Sequence, residues 1–172
     1  MKNPNVIKRI KAFAVDYLII LLYIGFLLTA TLLVSKTFAI NLRGLSPLSG
    51  QLLGFTTLTL PVVLYFTISE NSRYAATIGK RKVHLQVVSI KGSKAGFGQL
   101  FVRNCTKFLP WEIAHFFVFR LVHFTTEDVQ PPMWVFMGLL ASQVLALVYL
   151  LCLMFAKNNR SLYEWFSRTQ VI

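Results

Sequence analysis

This sequence has little acid. Six Asp and Glu stand against 18 Lys and Arg, for a formal net charge of +12, and charged residues of both signs make up only 14% of the 172 residues. A soluble domain carries about 25%. Cysteine is scarce as well. Cys105 and Cys152 lie far apart in sequence with no metal-type spacing, which fits free thiols better than a disulfide framework. Internal repeats and low-complexity segments are also missing. Apolar residues are abundant, at 55% of the chain with mean hydropathy +0.60. Disorder is excluded, because disordered chains lack the apolar groups present here in excess. A soluble core is a poor account, because the apolar runs are too long to be hidden together in so short a chain. The class that fits is an integral membrane protein, read as one domain over residues 1–172.

Residues 12–34 form the first apolar run, long enough to cross a bilayer, with Asp16 its only charge. Lys8, Arg9 and Lys11 precede it, as in a signal peptide. Signal-peptide cores are shorter, about 7–15 residues, so a retained helix is expected. Residues 51–69 form an uncharged second run, with Pro61 in its middle to kink it. Gly50 and Gly54 make a G-x-x-x-G, weak evidence alone for close helix approach. Residues 133–156 form the last long run, in which Gly138, Ser142 and Ala146 trace a small-residue packing seam. Residues 108–124 are apolar and aromatic but carry Glu112, His115, Arg120 and His123 on one face. They form either a span with that face turned inward or a helix in the membrane interface.

Charge favours the span. With four spans, fifteen of the eighteen cations fall on one side, leaving Lys36, Arg43 and Arg120 for the other. The positive-inside rule then puts both termini in the cytoplasm. Trp111, Trp134 and Trp165 fall near span ends, where aromatic belts sit. The cytoplasmic loop, 70–107, has structure of its own. Val83, Leu85 and Val87 alternate with His84 and Gln86 as in a short strand, and residues 91–94 read as a turn. Phe97, Leu100, Phe101 and Phe108 then recur at helical spacing with Arg103 and Lys107 off that face. This predicts an amphipathic helix lying on the inner leaflet. The expected fold is therefore an all-α, four-helix transmembrane bundle with a short cytoplasmic strand segment and an interfacial amphipathic helix.

Few residues suggest chemistry. Thr77-Ile78-Gly79-Lys80 is not a phosphate loop, since Tyr74 stands where a Walker A motif needs Gly and Arg81 where it needs Ser or Thr. Glu112-x-x-His115 is half of a di-iron motif, and the other ligands are lacking, so no metal is expected. No enzymatic signature emerges, no cofactor is implied, and the positive charge comes without a nucleic-acid-binding motif. His84 reads as a surface histidine. Asp16 is the most informative residue. A carboxylate inside an apolar helix costs about 2.5–3.5 kcal/mol on insertion scales and marks either an ion or proton pathway or a buried structural contact. Arg9 lies nearly on the same helix face and is expected to tune it.

These residues fall into an ordered pattern. Arg9-x-x-Ala12-x-x-x-Asp16 enters the first helix, and Thr77-Ile78-Gly79-Lys80-Arg81 precedes Leu85-Gln86-Val87-Val88. Val102-Arg103-Asn104-x-x-Lys107 follows, and Arg160-Ser161-Leu162-Tyr163-Glu164 leads to Thr169-Gln170-Val171. The chain resembles the RDD family of prokaryotic membrane proteins over nearly its whole length, with Glu164 at the position of the family's second Asp. The resemblance implies a small helical protein of the prokaryotic cytoplasmic membrane, with transport, including cation/proton antiport, as its suggested activity. The expectation is then a cation- or proton-coupled transporter, homo-oligomeric because one copy offers only four spans. Its coupling residues would be Arg9, Asp16, Glu112, His115 and Glu164. Lys80, Arg81, Lys82, Arg103 and Lys107 would contact anionic lipid or phosphate. The rival expectation is a non-catalytic scaffold, accessory subunit or lipid-binding module.

Overall fold

A computed structural model describes residues 6–37, 45–156 and 160–172. The chain is mostly helical. Helix α1 spans Val6–Thr37, and α2 (Pro47–Gly54) runs through a π-helical turn (Phe55–Thr59) into α3 (Leu60–Asn71). A short α4 (Ile78–Lys82) and strand β1 (Val87–Ser89) precede α5 (Phe97–Thr126). Helix α6 (Met133–Phe155), α7 (Leu162–Phe166) and strand β2 (Thr169–Val171) complete the described order. Three segments, Val6–Thr37, Pro47–Asn71 and Met133–Phe155, are long and apolar enough to cross a membrane. Helix α5 has the length, about 45 Å at 1.5 Å per residue, but carries its own polar groups.

The two prolines inside helices are handled alike. Pro61 has no N–H for the carbonyl of Thr57 one turn earlier, and the chain widens into the π-turn just before it. The Tyr23 hydroxyl of α1 donates to that carbonyl at 2.5 Å. Pro110 in α5 leaves the Thr106 carbonyl without its helical donor, and the Tyr149 hydroxyl of α6 donates to it at 3.0 Å. Each proline thus opens an acceptor that a tyrosine of another helix fills.

Small residues make sockets for aromatic rings. A Cβ on Gly50 or Gly54 would stand 3.0 Å from the Phe119 ring, and one on Gly138 only 2.1 Å from the Phe117 ring. Gly138 and Ser142 are buried, whereas Ala146 is exposed on the wall of a cleft, so the small-residue seam is shorter than its spacing implies. Helix α1 buries only Arg9, Ala12, Asp16 and Ile20, a single stripe in its first half.

At one end of the bundle sits a compact cap. β1 pairs antiparallel with β2 in the register Val87↔Val171, Val88↔Gln170, Ser89↔Thr169. A turn with Gly92 at φ +82° returns Lys94 to Val88. Ala12, Leu85, Val87, Ala95, Leu100 and Val171 form the cap's core, which joins α1 to both strands.

Two expectations about the loop need correction. The strand starts at Val87 rather than Val83, because the Leu85 N–H bonds the Lys80 carbonyl and His84 takes φ +57°, closing the end of α4. The interfacial helix is not separate, since residues 97–107 continue unbroken into 108–124 as α5. Its expected apolar face is split, with Leu100 buried in the cap's core and Phe108 half-buried. Phe97 and Phe101 are exposed, while Arg103 and Asn104 are fully buried. Both cysteines are free. Lys2, Arg43 and Lys157, which enter the charge split, lie outside the described residues.

Gly138→Ala should lose about 1–3 kcal/mol through overpacking against Phe117. Phe117→Leu should restore most of it, as read by melting temperature in detergent.

Candidate functional site

Where the cap meets the bundle, charged side chains are drawn inside. Asp16 is 2% exposed, Glu70 1%, Glu164 0% and Arg103 2%. Burying a charge without a partner is prohibitive, so each must be held.

Asp16 is held by donors from the α4 entrance. Thr77 donates its hydroxyl to Oδ2 at 2.6 Å, and the Gly79 N–H donates to Oδ1 at 2.8 Å. The Tyr65 hydroxyl adds a third bond to Oδ1 at 3.4 Å. Thr77 is also the N-cap of α4, accepting from the Lys80 N–H. A Cβ on Gly79 would lie 2.1 Å from the Ala12 carbonyl oxygen and 2.8 Å from the Asp16 carboxyl carbon. Only glycine lets the backbone come so close. Thr77-Ile78-Gly79-Lys80 is therefore a docking turn clasped by a carboxylate.

The expected pairing of Arg9 with Asp16 is not what the structure shows. Arg9 Nη1 donates to both carboxylate oxygens of Glu164 at 3.2 Å, and Nη2 donates to the Val171 carbonyl at 3.5 Å. Glu164 also accepts from Arg103 Nη2 at 3.2 Å and from the Ser161 N–H at 3.4 Å. Arg103 extends further, with Nη1 donating to Thr169 Oγ1 at 2.9 Å and Nε 3.4 Å from Glu70. Glu70 then holds Lys80 in an ion pair and accepts from Asn104 Nδ2 at 3.1 Å. The result is an unbroken line, Lys80–Glu70–Arg103–Glu164–Arg9, tying α4, α3, α5, α7 and α1 together. Burial disfavours the charge on Arg103, but Glu70 and Glu164 outweigh it and raise the guanidinium pKa above its ordinary value.

Beside this line lies a partly open cleft of about 510 Å³ between α1, α3, α5 and α6. That is within the usual range for a ligand pocket, about 300–1,000 Å³. Phe13, Ile20, Val62, Trp111 and Leu150 contribute apolar wall. Arg9, Asp16, Lys80, Arg103, Lys107 and Glu164 contribute the charged part.

Of the expected coupling residues, Arg9 and Glu164 meet each other, and Asp16 joins the same cleft through different partners. Glu112 and His115 form a separate, partly exposed pair 3.8 Å apart. Thr59, which also lines the cleft, donates to Glu112 at 2.7 Å. Of the expected anion contacts, Lys80 and Arg103 are sequestered in ion pairs. Arg81 and Lys82 are exposed, with Arg81 stacked on Tyr74. Lys107 reaches the cleft. Sequence reasoning missed Glu70, which looks like an ordinary polar residue at a span end, and Asn104. The signal for Glu70 was an acid at the end of an otherwise uncharged span, ahead of a basic loop.

A model of the RDD family matches residues 3–168. The chain belongs to the RDD family. No curated protein and no solved structure matches it. The pieces that carried the resemblance converge in space: Arg9, Asp16, Thr77, Gly79, Lys80, Arg103 and Glu164 all take part in the ion line or the docking turn. In this RDD chain the longer Glu164 reaches two arginines at once. Among the described residues, no group of three or more His, Cys, Asp or Glu could hold a metal ion.

Two losses of stability are expected, both read as thermal melting in detergent. Arg103→Leu leaves Glu70 and Glu164 short of a cation and should cost about 3–5 kcal/mol. Asp16→Asn weakens the charge-assisted bonds to Thr77 and Gly79 and should cost about 1.5–3 kcal/mol.

Proposed function

We propose that the protein is a small proton-coupled membrane transporter, with the cleft as its solute site and the Glu112–His115 pair as the group that exchanges protons. The observation that carries this reading is the cleft itself, an apolar-walled cavity of about 510 Å³ lined by ionisable side chains. Ionisable groups kept within membrane helices usually serve a solute or proton path. Glu112 suits exchange better than Asp16. Asp16 is fully engaged by three donors, whereas Glu112 and His115 are each 22% exposed at the side chain, and Glu112 is reached from the cleft through Thr59. The cleft's own lining carries four cations against two carboxylates, which favours an anionic solute over the cation of a cation/proton antiporter.

In this reading residues 108–124 of α5 are the fourth span, and residues 97–107 belong to the cytoplasmic side. The span's polar groups turn toward the chain rather than lipid: Glu112 meets Thr59, and Arg120 Nη1 donates to Gln51 at 3.3 Å. Both termini then lie in the cytoplasm, on the side where the cations gather. Activity in a homo-oligomer of the prokaryotic cytoplasmic membrane follows, since four spans make a thin wall around a path. A second reading, a non-catalytic scaffold, is favoured by one observation: all three buried carboxylates are already satisfied by structural donors.

The test uses purified protein in liposomes with an internal pH-sensitive dye, offered sodium, potassium and an alkyl phosphate. Protein-dependent proton movement is expected, lost in Glu112→Gln and in the cleft-filling Ala146→Trp while melting temperatures hold. No protein-dependent signal with any of the three would leave the scaffold. A tag at residue 172 should be inaccessible from outside intact cells, and outside access would remove α5 as a span.

A further inference from the structure

The cleft contains a cation that the protein leaves without an acid. None of the six carboxylates of the chain lies within ion-pair reach of Lys107, and all six belong to described residues. The Lys107 ammonium sits over the Phe66 ring at 3.6 Å and near Phe108 at 5.0 Å. An aromatic face replaces only part of the hydration an ammonium gives up. A second unsatisfied donor lies on the same lining. Arg9 is 8% exposed, and its Nε–H is buried with no acceptor among the described residues. Every buried carboxylate nearby is already engaged, so no acid of the chain is left to pair with either donor.

The surroundings specify the rest of the ligand. Lys107 and Arg9 belong to the end of the cleft nearest the cap. The rest of the lining is mostly apolar, including Phe13 and Tyr17 of α1 and Leu150 and Leu153 of α6. A small hydrophilic anion would satisfy the donors but leave these walls wet. An uncharged acyl chain would fill the walls but leave the donors unanswered. An amphiphile with an anionic head and an apolar tail does both, and its source is the surrounding leaflet.

We propose that the cleft is a binding site for an anionic glycerophospholipid, with the phosphate on Lys107 and Arg9 and an acyl chain along the wall between α1 and α6. This rests on the reading of the cleft as the ligand site and names the class of that ligand. Without the lipid, burial first and then Lys80 push the Lys107 ammonium well below the ordinary lysine pKa, against a smaller opposing pull from Glu70. A phosphate placed there reverses that imbalance.

The experiment is native mass spectrometry and thermal melting of the full chain, delipidated and then titrated with phosphatidylglycerol or phosphatidylcholine in mixed micelles. Wild type should retain phosphatidylglycerol selectively and melt higher in its presence. Lys107→Gln should weaken retention about tenfold, the loss of one charge-assisted contact, while its lipid-free melting temperature stays level or rises because an unpaired charge is gone. Lys107→Arg should keep retention. Equal retention of both lipids, retention unchanged in Lys107→Gln, or a lipid-free Lys107→Gln that melts early would each overturn the site. Proton flux without selective retention would leave the transporter and remove the lipid. Retention without flux would do the opposite.

Discussion

Everything at the cap end of this protein depends on one buried guanidinium. Arg103 stands between Glu70 and Glu164 and touches Thr169, so a single side chain of α5 meets residues of α3, α7 and β2. Charges removed from water must be paired and hydrogen-bonded, because an orphaned one costs far more than any local contact returns. The requirement acts as an assembly rule. Arg9 must reach Glu164, Lys80 must reach Glu70, and no element can shift without leaving a charge bare. Arginine suits the central place, since its fork of donors engages two carboxylates and a hydroxyl in one plane.

The sequence disclosed the coarse architecture through the length of its apolar runs. The segments at 12–34, 51–69 and 133–156 emerge as long helices because a bilayer demands length and apolarity together. Asp16 stood out for the same reason, being one acid in an apolar stretch. Its partners were not legible. Helical spacing joined Asp16 to Arg9, yet the structure gives Arg9 to Glu164, 155 positions away, and gives Asp16 to a backbone N–H of residue 79. Periodicity reports neighbours on one helix and is silent about contacts made by folding back.

The segment at 97–107 shows a subtler limit. Its amphipathic pattern is real, but a pattern does not say which face is inside. In water the apolar face turns inward. Here Leu100 turns in as expected, but Phe97 and Phe101 turn out and Arg103 and Asn104 turn in, because the neighbouring elements offer Glu70, Glu164 and Thr67 as partners. The strand was displaced for a local reason of the same kind. Lys80 uses its carbonyl to close α4, and the extended chain begins only after that turn is complete.

The two proline–tyrosine contacts give the cleft an uneven stiffness. Its cap end is riveted by multiple ionic bonds. Two further ties are single hydroxyl bonds, Tyr23 from α1 to the π-turn and Tyr149 from α6 to α5. A neutral hydrogen bond of this type is worth about 1 kcal/mol net, within thermal reach. Each of these two ties can open and re-form on its own while the ionic line at the cap stays closed.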